Sequence, residues 1–487
     1  MSVSHYFFEL FKTNHFTWWF FLWLLALTFF KVVPFPLRLS TRNVLAAVVF
    51  LGLFLRLAWL GFSSYTPLTT WNSQHMLESD VTNVHAIELT QGIWFHWSDG
   101  MPEARRPIGY PMLLALAYKL FGANLWVAYT LNLLLYVLAA LLLFLITKLI
   151  FSERIALLAA FFFSVWPVSI YSIKLITDEH LFLPLWYFGL YLLLREVKGS
   201  KIRWPLFWYG LIFGYATMTR THSIFMPFVV AFAYFLVKRP WKKIVFAFFA
   251  VAILMQAVNL PWVIRNYSIW KVVVPYTLTG YGLYTWVNGN ATAEMPADPP
   301  KKGESGYSEE LDQAIQAKDV GLQHQYGARE MRRWILGHPL QFLKLGTGRV
   351  LVFVGWNRAG GVWPIWHQYY PGSFDPKRPI APAVREFFEE TAFAFYYILL
   401  FSFIFSVVFL VRRWEFIDSG SRACAWVLGA CLFFWLAGQM VIFADRKYRY
   451  PLEPLMMIPV SFFYDFLLHE FRWEKIAPRW TRVKNNA

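Results

Sequence analysis

The sequence predicts an all-α polytopic membrane protein with about eleven transmembrane helices and a small extracytoplasmic domain. Three observations carry this. Hydrophobic residues fill 58% of the 487 positions and aromatic ones 20%, while only 15% are charged; soluble domains carry about 25%. Several apolar runs of roughly 18–25 residues have the length needed to cross a bilayer. Lysine and arginine gather in short loops whose spacing along the chain alternates with those runs.

Taken in order, spans are expected at 16–33, 43–62, 124–150, 155–173, 179–195, 204–219, 222–237, 244–262, 391–411, 423–443 and 451–468. The first run carries Trp18 and Trp19, which suit an interfacial helix as well as a span. Lys31 and Arg38 follow it with no small-residue cleavage site, so it does not read as a signal peptide. The stretch 107–121 is apolar but short, and is expected as an interfacial or half-embedded helix. Basic residues cluster in REVKGSKIR (195–203), KRPWKK (238–243), Arg412-Arg413, the tail after 468, and Lys31, Arg38 and Arg42. Strict alternation places all of these on one side, which the charge bias identifies as the cytoplasm. That accounts for the net charge of +16, from 45 basic and 29 acidic residues, without nucleic acid.

The opposite side receives the loop 63–106, the turn around Asp178, the turn TRTH at 219–222, the segment 266–390 and ADRKYRY at 444–450. The chain therefore divides into an N-terminal transmembrane module, 1–265, an extracytoplasmic domain, 266–390, and C-terminal helices with a basic cytoplasmic tail, 391–487. Within the domain, GLQHQYGAREMRRWILGHPLQFLKLGTGRVLVFV predicts two helices broken at His338-Pro339. Cys424 and Cys431 lie seven positions apart in one apolar run. That is about 10 Å along a helix, too far for a disulfide. No internal repeat, heptad pattern or low-complexity tract is visible.

Ionisable residues sit at or near the ends of spans on the non-cytoplasmic side: Asp80, Arg105, Arg106, Asp178, Glu179, Arg220, Arg265, Arg446 and Arg449. Such groups cost several kcal/mol at membrane depth unless paired or facing a wet cavity. Their arrival from distant segments suits an outward-open cavity lined by cations and one or two carboxylates. Arginine clusters suit phosphate, since the guanidinium fork pairs with two oxygens. A carboxylate suits a general base or a binder of sugar hydroxyls. This chemistry fits a sugar on a lipid phosphate, with the phosphate as leaving group and Asp80 taking the acceptor proton in one inverting displacement.

Four stretches resemble the GT-C fold glycosyltransferases, and more narrowly the bacterial relatives of protein O-mannosyltransferases and the lipid A aminoarabinose transferase. They are the loop acidic residue Asp80, the segment ARRPIGYPMLLAL, the segment LPWVIRNYSIWKVVVPYTLTGYGLYTWVNGNATA, and GHPLQFLKLGTGRV together with ADRKYRYPLEPLMM. PWVIRN and YRYP are the most specific. The resemblance implies a polyprenyl-phosphate-sugar donor, a cell-envelope acceptor, a bacterial inner membrane location and a site on the extracytoplasmic face. It implies Asp80 as base, Arg105 or Arg106 and Arg265 at the donor phosphate, and Asp178 as a second acidic position. Arg220 and Arg449 are further candidates for substrate binding. No cofactor and no metal are expected. One departure stands out: many relatives follow the loop Asp with Glu, whereas Asp80 is followed by Val81, which argues against a true protein O-mannosyltransferase.

Each residue also has a plain structural use. Asp80 sits where a helix cap is natural, and Glu78 is the alternative base. Glu88 reads as a solvated helix face, Arg105 and Arg106 as interfacial anchors, Arg265 as a helix C-terminal cap, and Asp178 as a partner of Lys174. His75, His85 and His96 share the first loop with Asp80 and Asp99, but match no compact ligand motif. Two other function classes compete: a transporter or flippase of lipid-linked sugars, and a non-catalytic subunit of an envelope glycan assembly complex. The first would place charges mid-span and show inverted repeats; the second would tolerate loss of Asp80.

Overall fold

The computed structural model describes residues 40–71, 76–96, 99–103, 106–273, 280–304, 306–356, 364–365, 382–442 and 445–469. The expected first span, His75, Arg105, the basic tail and part of the segment 266–390 lie outside the described residues. Among the described residues helices are the regular elements, joined by loops, with one isolated β-bridge between His96 and Pro102. The expected all-α class therefore stands.

The first described helix, α1 (Thr41–Phe62), starts on Ser40, whose hydroxyl accepts from the Asn43 amide. Helix α2 (Glu78–Thr90) lies in the loop before the short helix α3 (Gly109–Phe121). Gly122 ends α3 at φ +89°, where a side chain would be strained. Asn124 caps α4 (Leu125–Ile150), and Ser152 caps α5 (Glu153–Ser164). The expected span 155–173 is interrupted at Trp166-Pro167, after which α6 (Pro167–Ser172) turns into the Asp178 loop. Helices α7 (Glu179–Val197), α8 (Pro205–Thr219), α9 (Met226–Leu236) and α10 (Trp241–Trp270) follow, with a 3-10 turn at Thr221–Phe225.

Four helices occupy 280–351: α11 (Gly280–Trp286), α12 (Glu309–Gln316), α13 (Val320–Gly337) and α14 (Pro339–Leu351). The break between the last two falls at His338-Pro339, as the sequence predicts. A π-turn, Val352–Trp356, continues α14. The chain closes with α15 (Pro382–Arg412), α16 (Ser419–Gln439), a 3-10 turn at Arg446–Arg449 and α17 (Glu453–His469).

Among the described residues, five helices are long and apolar enough to cross a membrane: α1, α4, α10, α15 and α16. The other expected spans that fall on described residues are shorter, interrupted or more polar. Several of them converge on the charged cluster described below, where proline breaks and polar residues displace apolar ones.

Close packing depends on glycine at the α8–α10 contact. A Cβ on Gly214 would lie 2.9 Å from Val258 Cβ and 3.0 Å from Met255 Cα, and one on Gly210 2.3 Å from Leu254 Cβ. Backbone cannot give way as a flexible side-chain end can. Arg56, in α1, is fully buried. It donates to the carbonyls of Gly52 and Ser164 at 2.9 Å and to Ser169 Oγ at 2.7 Å, with Tyr136 stacked 3.5 Å from its guanidinium. A charge inside the helix bundle is thus neutralised by backbone dipoles and a ring face.

Overpacking a fitted contact costs about 1–3 kcal/mol. Gly214→Ile is therefore expected to lower the thermal midpoint of the detergent-purified protein, read by intrinsic fluorescence. An unchanged midpoint would show that α8 and α10 do not need this close approach.

Candidate active site

The site is assembled where the first loop, the Asp178 turn, the turn at 220 and the segment 446–449 meet. Glu78 opens α2 and bonds Lys447 Nζ at 2.7 Å. Glu179, the first residue of α7, forms a buried ion pair with Arg220 at the end of α8. Asp178 is 3% exposed, and its Oδ1 has no hydrogen-bond partner among the described residues. Arg106 approaches from the strand of chain leading into α3 and lies 4.0 Å from Glu103. Tyr448 packs against the Arg220 guanidinium at 5.2 Å and Lys447 at 5.6 Å.

The electrostatics divide the two carboxyls. Burial alone works to raise Glu78, but Lys447, Arg106 and Arg220 outweigh it and hold the carboxyl well below the usual carboxylate range. Burial, reinforced by the Glu78 carboxylate, pushes Asp178 up to about 8 against the same cations. Glu78 is therefore an anion at neutral pH and Asp178 a neutral acid. Lys447, Arg220 and Arg106 are set among the carboxyls of Glu78, Glu179, Glu103 and Asp445, so cations and carboxylates alternate through the cluster.

Asp80 stands two residues further along, at the third position of α2, and is 4% exposed. Its Oδ1 accepts from Tyr65 Oη and the Leu68 amide, both at 2.9 Å, and Oδ2 accepts from the Leu77 amide at 2.9 Å. It thus caps its own helix, as one sequence reading anticipates. A carboxylate offers about four lone-pair sites, so Oδ2 retains one. Burial raises the Asp80 carboxyl above its ordinary value, against the three hydrogen bonds.

The structure brings Asp178, Arg220, Arg106 and Glu78 together, and adds Lys447. Sequence reasoning missed Lys447, which sits between the two arginines of ADRKYRY; its position in that segment was the available signal. Arg105 lies outside the described residues, as does the Arg446 side chain. Arg449 turns towards Glu453, at 3.6 Å, and stacks 3.7 Å from the Tyr396 ring; Glu453 in turn accepts from Trp166 Nε1 at 2.8 Å. Arg265 reaches neither cluster. It donates to the carbonyls of Glu103 at 2.6 Å and Phe95 at 2.8 Å, flanked by Trp262 and Trp270.

Three plain readings need correction. Glu88 is not a solvated face: it accepts from Trp71 Nε1 at 2.7 Å and pairs with His96 at 3.2 Å. Lys174 does not serve Asp178; its Nζ donates to the carbonyls of Leu60 and Ser63. Arg265 does not cap a helix end: α10 runs on to Trp270, and Arg265 grips loop carbonyls from within it. His85 is buried on Glu103 at 3.2 Å and stacked on Phe95, so it braces the first loop.

Residues 105–264 match a family model described as dolichyl-phosphate-mannose-protein mannosyltransferase. That kinship is the one the sequence motifs suggest, and the matched stretch holds Arg106, Asp178, Glu179 and Arg220. It does not include Glu78, Asp80, Arg265 or Lys447. No curated protein matches the chain. Among solved structures, the chain is similar to the archaeal oligosaccharyltransferase AglB from Archaeoglobus fulgidus in complex with an inhibitory peptide and a dolichol-phosphate. Identity is 14% and the TM-score 0.49, over 86% of this chain and 49% of that one. This chain thus spans about half the length of AglB. It is also similar to ArnT from Cupriavidus metallidurans, in the apo state at 12% identity and TM-score 0.38, over 86% of this chain and 77% of that one. For ArnT bound to undecaprenyl phosphate the figures are 14% and 0.36, over 84% and 77%.

The raised Asp178 makes a pH prediction. Unfolded, this carboxyl ionises near 3.8; folded, near 8. Between those values the folded state holds the extra proton, so the group's contribution to stability falls as pH rises through the window and levels off above it. Asp178→Asn removes this slope. Its thermal midpoint is expected to gain on wild type between about pH 5 and about pH 8; a pH-independent difference would rule the shifted carboxyl out.

Proposed function

We propose that this chain transfers a sugar from a polyprenyl-phosphate carrier to a cell-envelope acceptor on the extracytoplasmic face of a bacterial inner membrane. The observation that carries the reading is the buried cluster of Arg106, Arg220 and Lys447 around Glu78, Asp178 and Glu179, with the held carboxylate of Asp80 two residues after Glu78 in the same first turn of α2. Arg106, Arg220 and Lys447 bring three cationic donors to one place, which suits an incoming phosphate. The family match over 105–264 supports a lipid-phosphate donor.

In this reading the acceptor hydroxyl attacks the anomeric carbon as the bond to phosphate breaks. The electron pair of that bond leaves with the polyprenyl phosphate, whose growing charge Arg220, Lys447 and Arg106 offset. The acceptor proton passes to Asp80 Oδ2. Three donors fix the Asp80 carboxylate in place, so the base is oriented before substrate arrives, and burial brings its basicity nearer to working pH. A single displacement inverts the configuration. Arg265 acts at one remove, by clasping the loop that carries α2. The acceptor is a lipid, a polysaccharide such as lipopolysaccharide, or a protein; the bilayer supplies the donor's tail with its environment.

The test is a transfer assay on detergent-purified protein, with a radiolabelled sugar on polyprenyl phosphate and a crude envelope acceptor. Asp80→Asn is expected to lose at least about a hundredfold in rate, with an unchanged elution profile. Lys447→Met is expected to raise the KM for the donor. Normal transfer by Asp80→Asn would exclude Asp80 as the base and make Glu78, the ionised carboxylate of the cluster, the next residue to test. Absence of transfer by wild type across a panel of lipid-phosphate sugars would favour the transporter or the non-catalytic subunit.

A further inference from the structure

A second cavity lies away from the charged cluster, between α14 and the chain following α11. Its volume is about 930 Å³, within the roughly 300–1,000 Å³ of ligand pockets. One face of α14 supplies Gln341, Lys344 and Thr347, spaced three apart so that all look the same way. All three side chains are exposed and enter no hydrogen bond or ion pair among the described residues. Trp334, half-buried near the end of α13, forms one end of the pocket.

Small residues keep the space open. Gly289 and Gly348 both line it; a Cβ on Gly289 would lie 3.6 Å from Trp334 Nε1, and one on Gly348 3.1 Å from Ala293 Cβ. Asn288 holds the floor. Its amide nitrogen donates to the carbonyls of Tyr284 and Ala297, and its oxygen accepts from the amides of Asn290 and Ala291. The polar side chains left to meet a ligand are therefore an amide, a hydroxyl, an ammonium and an indole. Among the described residues the lining includes no carboxylate.

We propose that this pocket binds an acidic saccharide, one carrying a carboxylate or phosphate, and that this saccharide is the glycan of the acceptor. A sugar ring packs its C–H face on an aromatic ring. Gln341 and Thr347 can each donate to and accept from hydroxyls. Lys344 supplies the counter-charge, unopposed within the pocket. Through α14 the pocket is linked to Arg449, which shares the 3-10 turn Arg446–Arg449 with Lys447 of the charged cluster. Arg349 is buried and fastens that helix to the carbonyls of Trp286 and Val441. Beyond it the π-turn brings Gly355 against Arg449: a Cβ there would lie 3.6 Å from its Nη1. From Lys344 and Thr347 to Gly355 is roughly 12–16 Å of helix, the reach of a short oligosaccharide. The assignment as acceptor rests on the transferase reading; the saccharide binding does not.

The test is equilibrium dialysis of the full-length protein in detergent against labelled trigalacturonate, an acidic probe, and labelled maltotriose, a neutral one. Wild type is expected to hold trigalacturonate at least about tenfold more tightly. Lys344→Ala is expected to erase the preference, and Gly348→Trp to abolish retention of both with an unchanged elution profile. Lys344→Ala carries its change on an exposed side chain, so folding does not confound it. Retention of neither probe by wild type, equal retention of both, or undiminished retention by Gly348→Trp would overturn the proposal. In the transfer assay, Lys344→Ala is expected to raise the acceptor KM and leave the donor KM unchanged; the reverse pattern overturns the acceptor assignment. Wild-type protein that retains trigalacturonate but transfers nothing would sink the transferase reading and leave the saccharide site standing.

Discussion

Burying charge where helices end is the constraint on which the rest of this structure depends. The Glu78–Lys447 bond joins residues 369 positions apart, so the loop after the first described helix and the lead into the last are fixed together by opposite charges. Neither could be buried alone at bearable cost. Asp178 and the Glu179–Arg220 pair complete a closed set in which every ion has a counter-ion nearby and the one surplus acid stays protonated. The arrangement holds α2 and the lead into α17 together and, by the same contacts, gathers three cations in one place.

The helical class, the break at His338-Pro339 and the short helix after the first loop were legible because each depends on local signals: apolar run length, proline and glycine. The number of full-length spans was less so. Trp166-Pro167 reads as one span in hydropathy, yet proline ends α5 and Trp166 turns to Glu453. A window average cannot see a single residue that chooses a partner 287 positions away. The candidate site was readable as a set of ionisable residues at span ends, but not as pairs. Arg265 and Arg449 look alike to Arg220 in sequence, and their partners are a loop backbone and Glu453. Lys447 was overlooked between two arginines because only the fold shows which of three adjacent cations faces Glu78.

Asp80 shows why cap and base were hard to separate. A carboxylate at the third helical position meets backbone amides whether or not it does chemistry, and the same hydrogen bonds that cap the helix also aim its remaining lone pair. The two uses share one geometry. Buried arginines pose a related problem. Arg56 and Arg349 sit in apolar helices with nothing nearby in sequence to pair with, and both are satisfied by carbonyls, which a sequence does not display.

Arg265 binds the first loop solely through main-chain oxygens, those of Phe95 and Glu103. Every residue type carries that oxygen. The clasp is therefore blind to which side chains stand between its two anchor points. The clasp itself places no demand on those side chains; within the stretch, His96 is held separately by Glu88 and Asp99 by Lys318. Elsewhere on the rim, selection can act without disturbing the clasp beneath it.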